Sequence, residues 1–104
     1  MSLAEIARKQ EQIAYEPWGR DVVMVPISAR DLCDMHASFA ELQGKDLDTA
    51  EALEFYAELL SLSVMDPKAT KEEWLSDVTP KAVMDLGQEA LRLSGLVSED
   101  AKKN

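Results

Sequence analysis

The stretch from Thr49 to Met65 constrains this chain most, because it reads as one helix with more apolar surface than a small fold easily hides. At about 100° per residue, Glu51, Glu54, Glu58, Ser61 and Met65 share an arc of roughly 80°. Ala50, Leu53, Tyr56, Ala57, Leu60 and Val64 lie to one side of it, and Ala52, Phe55, Leu59 and Leu62 to the other. The apolar arc is about 240° wide, against ~100° for an ordinary surface helix. Such a helix is either central, wrapped by the other elements, or has one flank that is covered only in an oligomer or by a bound partner. A chain of 104 residues has few elements with which to surround it. The flank expected to meet a partner or a second copy is Phe55, Leu59 and Leu62, each worth roughly 1.5–3 kcal/mol when removed from water.

The remaining elements follow from local signals. Met1 to Gln12 reads as a short flexible or amphipathic segment, with Leu3, Ile6 and Ala7 at helical spacing. Two β-prone runs, Ile13 to Trp18 and Val22 to Ile27, flank Gly19-Arg20-Asp21 and predict a hairpin. Pro17 and Pro26 donate no ladder hydrogen bonds, so both strands should be short or lie at an edge. Ser28 is placed to cap a helix, with Asp31 near the positive end of its dipole, and Leu32, Met35, Phe39 and Leu42 recur until Gly44. The long helix opens at Asp48-Thr49 and is expected to run until Asp66-Pro67 stops it. Thr70 and Glu73 form a capping-box pattern before a short helix through Trp74 and Leu75. Thr79-Pro80 starts the last helix, which turns Val83, Leu86, Ala90 and Leu93 inward. Gly95 ends it, and Leu96 folds back on Leu91. The expected fold is mainly α: a short N-terminal β-hairpin followed by three to four helices in one small domain. That domain spans residues 13–96, between the N-terminal segment 1–12 and a disordered polar tail at 97–104.

Charge and composition narrow the function. Hydrophobic residues make up 46% of the chain, enough for a core. The net charge of −9 falls entirely on residues 31–104, because the first 30 residues hold four basic and four acidic side chains. Such a surface repels phosphate backbones and argues against nucleic-acid binding. No apolar run approaches the roughly 18–20 residues that cross a bilayer, and a signal-peptide pattern is lacking, so a cytoplasmic protein without a membrane partner is expected. Cys33 is the one cysteine, with His36 three residues on. A nucleophile made from that pair needs an orienting group and an oxyanion site, neither of which the flanking residues suggest. Asp31, Asp34, Asp46, Asp48 and Glu51 gather near one loop but lack the calcium-loop pattern, and helix capping explains them better. Gly19, Gly44, Gly87 and Gly95 stand apart and make no phosphate loop. Trp18 and Trp74 are expected in core or edge packing. Catalytic, cofactor and metal residues are therefore all expected to be absent, and the chain to be no enzyme.

The layout resembles the tail assembly chaperones of long-tailed bacteriophages over roughly residues 13–96. The matching parts are the hairpin followed by Ile27-Ser28-Ala29-Arg30-Asp31, a long helix ending Leu62-Ser63-Val64-Met65-Asp66, and Glu72-Glu73-Trp74-Leu75. The closing Ala90-Leu91-Arg92-Leu93-Ser94-Gly95-Leu96 matches best. Where the family often has an Asp-Gly turn after the long helix, this chain has Asp66-Pro67-Lys68-Ala69. The resemblance implies a non-enzymatic protein that self-associates and keeps the tape measure protein soluble during tail assembly, with the tail tube protein as a further partner. It also implies action in the bacterial host cytoplasm and absence from the mature virion. A different class is a small acidic adaptor or regulatory protein, antitoxin-like, that binds one folded partner. An antitoxin usually brings a basic DNA-binding half or a tail that folds on its toxin.

Overall fold

The computed structural model describes residues 2–35 and 49–96. Helix α1 spans Leu3–Ala7, and a hairpin of β1 (Glu11–Tyr15) and β2 (Arg20–Met24) follows. Helix α2 (Ala29–Asp34) comes next, then the long α3 (Thr49–Ser63), a third strand β3 (Val64–Asp66), α4 (Lys71–Ser76) and α5 (Pro80–Leu93).

Helix starts are set by local hydrogen bonds. The Ser2 hydroxyl accepts from the Glu5 backbone N–H at 3.2 Å while the Glu5 carboxylate accepts from the Ser2 N–H at 3.1 Å, and this reciprocal pair opens α1. Ser28 and Asp31 do the same at α2, and Thr70 and Glu73 at α4. The Thr79 hydroxyl caps α5 by accepting from the Ala82 N–H, with Pro80 in the first turn. That helix closes as expected. Gly95 is left-handed at φ 76°, its N–H donates to Arg92 O, and the Leu96 N–H donates to Leu91 O at 2.9 Å. The expected continuation of α2 through Phe39 and Leu42 to Gly44, and the polar tail, lie outside the described residues.

The hairpin is present, with strands that begin two residues earlier than expected. Pro17 belongs to a 3₁₀ turn, Glu16–Trp18, and Gly19 follows at φ 64° with its N–H donating to Glu16 O. Pro26 falls beyond the end of β2. Both prolines therefore sit outside the ladder they cannot serve.

The fold class is mixed α/β rather than mainly α, because β3 adds to the hairpin. The sheet is antiparallel in the order β1-β2-β3, with a bulge between Val23 and Met24 where β3 joins. Helix α3 does not reach Asp66. Its last residue, Ser63, is fully buried and bonded to Val25, and the chain leaves the helix there to run beside β2.

One face of the sheet carries Tyr15, Val22, Met24 and Val64 into the core, and the other carries Gln12, Ala14 and Asp21 to solvent. Helices α3, α4 and α5 pack on the inner face. Val83, Leu86, Ala90 and Leu91 of α5 meet Tyr56, Leu59 and Leu60 of α3 in one apolar cluster. Gly87 permits this approach, since a Cβ there would lie 2.5–2.8 Å from the Cδ1, Cγ and Cβ atoms of Tyr56. Trp74 plugs the far end. It is buried, stacks on Trp18 at 6.2 Å, and Trp18 in turn meets the edge of Tyr15 at 5.2 Å. Its Nε1 has no hydrogen-bond partner among the described residues.

Candidate interaction surface

The expected partner flank is not an exposed face. Phe55 is 5% exposed and Leu59 0%, both inside the chain's own core, and Leu62 is partly buried against that core. This corrects the picture of an uncovered flank on the long helix. The wheel showed that two sides of α3 needed cover, and the sheet, α4 and α5 together supply it. The acidic arc does face water: Glu51 and Glu54 are exposed, and Glu54 pairs with Lys71 of α4 at 3.5 Å.

Apolar groups reach solvent elsewhere. Among the described residues the exposed large hydrophobics are Leu3 at 80%, Ile6 at 59% and Met65 at 41%. Leu3 and Ile6 lie on α1, a helix of five residues that is far too short to be stable by itself in water. It is anchored just past its end, where Arg8 Nε donates to Pro26 O at 2.8 Å. Met65 lies on the short edge strand β3. Glu5, Arg8, Lys9, Gln10, Val25 and Met65 line a cleft of ≈ 490 Å³ between this arm and the sheet. Leu3 and Ile6 were legible as an amphipathic pattern. Met65 was hidden, because extending the helix to Asp66 placed it among the glutamates of the polar arc.

A polar cluster joins the hairpin to α5. The Tyr15 hydroxyl donates to Asp85 Oδ2 at 2.9 Å, and Lys81 Nζ donates to the same oxygen at 2.7 Å. The Lys81 hydrogen bond, ahead of the one from Tyr15, holds the Asp85 carboxyl below its ordinary range. Burial, and then the bond to Asp85, push the Tyr15 phenol up. Each group is held in its resting protonation state at neutral pH, as in a structural link between elements.

Cys33 is exposed on α2, while His36, Asp46 and Asp48 lie outside the described residues. Among the described residues no three or more His, Cys, Asp and Glu side chains gather as a metal ion requires. Nor is any described helix long and apolar enough to cross a membrane. Set against protein-family models, curated proteins and solved structures, the chain matches none of them.

Proposed function

We propose that this chain is a non-enzymatic binding protein of the tail assembly chaperone kind. In this reading it self-associates and holds the tape measure protein in solution in the host cytoplasm. It leaves as tail tube protein assembles around that client and is absent from the virion.

The observation that supports the reading is that an acidic chain leaves Leu3, Ile6 and Met65 in water, with Met65 at a cleft it shares with Glu5, Arg8, Lys9 and Gln10. Apolar side chains left in water favour contact with an apolar client. The net charge of −9 would keep the loaded assembly apart from its neighbours. The order of hairpin, capped helix, long helix, short capped helix and closing helix follows the layout on which the resemblance rests, except that Val64–Asp66 is a strand where that layout has the end of the long helix.

The test is co-expression with a tape measure protein, the long client that this reading requires. The client is expected to stay soluble and co-purify, and an Ile6→Asp variant to lose it while remaining folded. A client that aggregates equally with and without this chain would overturn the reading. A second reading, an acidic adaptor for one folded partner, is favoured by the small size of the exposed apolar group. It predicts co-purification with a compact protein and no effect on the long client.

A further inference from the structure

The two edges of the sheet are built differently. Strand β3 has three residues, joins β2 through a bulge and runs into Pro67, which has no N–H to offer. It is a blunted edge. Strand β1 has five residues in unbroken register with β2, with neither proline nor lysine among them. No strand among the described residues pairs with its other side. Alternate N–H and C=O groups of β1 therefore point outward from a straight edge, which is the geometry that accepts an added strand.

The space beside that edge has a shape and a charge. A cleft of ≈ 300 Å³ is lined by Ile13, Ala14 and Tyr15 together with Asp85, Leu86, Gln88 and Glu89 of α5. Three consecutive strand residues, whose side chains alternate between faces, all line it, so the cleft follows the strand's edge. Asp85 and Glu89 are already matched by Lys81 and Arg92. Glu11, the first residue of β1, and Glu16, which follows its last residue in the 3₁₀ turn, are exposed and make no ion pair among the described residues.

We infer that the free edge of β1 is a docking site for an extended basic segment of a partner protein, which joins the sheet as a fourth strand. The segment spans about six residues, with Lys or Arg near each end and small apolar residues between. A second copy of this chain fits poorly. Antiparallel pairing of two β1 strands centred on Ile13 would set Glu11 of each copy opposite Tyr15 of the other and Glu16 opposite Gln10, so neither glutamate would gain a cation. The inference goes beyond the proposed function and does not depend on it, because the test uses no client.

The probe is a capped synthetic hexapeptide with lysine at both ends and valine alternating with threonine between. It is titrated into the isotope-labelled full chain by NMR, together with two versions N-methylated on alternate residues, one for each edge of the peptide. The expected result is that the amides of residues 11–15 shift and that methylation of one edge abolishes binding while methylation of the other does not. A Glu11→Lys, Glu16→Lys double variant should weaken binding about tenfold. Equal loss on methylating either edge, shifts centred on the glutamates of α3, or no binding at millimolar peptide would each overturn the proposal.

Discussion

Val25 and Ser63 exchange two hydrogen bonds. The Val25 N–H donates to the Ser63 carbonyl at 2.8 Å, and the Ser63 hydroxyl donates to the Val25 carbonyl at 2.7 Å. Ser63 is fully buried, and this exchange satisfies its hydroxyl. It also ties the end of α3 to the end of β2 where the chain changes from helix to strand. Replacing Ser63 with Ala leaves the buried Val25 carbonyl without that donor and should cost about 1–3 kcal/mol. Urea denaturation followed by tryptophan fluorescence measures it, and an unchanged midpoint would mean that β3 is held by its ladder alone.

Gly87 offers a second test of packing. In isolation, Gly→Ala in a helix gains about 1 kcal/mol from propensity. Here the new methyl would meet the root of the Tyr56 side chain at 2.5–2.8 Å, where no rotation of the ring relieves it. Overpacking of this sort costs about 1–3 kcal/mol, so Gly87→Ala is expected to destabilise on balance. A thermal melt should show a midpoint several degrees lower, and a rise would mean that α3 and α5 separate readily.

The link from Tyr15 to Asp85 gives a pH dependence. Asp85 is held below its ordinary value of 3.8, so its contribution to stability is complete above 3.8 and is lost as pH falls through the lower folded value. Tyr15 is raised above 10.0, so its contribution is complete below 10.0 and is lost as pH rises through the higher folded value. A Tyr15→Phe variant should be less stable by about 0.5–1.5 kcal/mol at neutral pH. Denaturation curves across the pH range should show that gap narrowing at both extremes. A gap independent of pH would assign the hydroxyl no role in the link.

The sequence was most legible where structure is decided locally. Ser28, Thr70, Thr79 and Gly95 each act through neighbours within three to five residues, and each acts in the fold as its pattern suggested. Val64 to Asp66 was misread as helix because its partner, β2, lies about 40 residues away in the chain. A helical wheel likewise shows that Phe55 and Leu59 need cover without showing what covers them. Here α4 brings Trp74 and α5 brings Leu86 and Leu91 into the same cluster, so the wide arc belongs to a central helix. The apolar arm was visible at Leu3 and Ile6, whereas the exposure of Met65 depends on β3 and was lost with it.

That reversal separates two substitutions on apolar residues of this chain. Leu59 is 0% exposed, so Leu59→Asp puts a carboxylate in the core without a partner and should unfold the protein, a loss of about 4 kcal/mol or more. Ile6 is 59% exposed on an arm that touches little of the core, so Ile6→Asp should leave the unfolding free energy within about 0.5 kcal/mol of the parent. Circular dichroism and urea titration of the two variants side by side check both statements. The Ile6→Asp protein is then the one to use for binding, since loss of oligomers or of a client can be traced to the arm. A folded Leu59→Asp protein that has lost self-association would instead return the interface to α3.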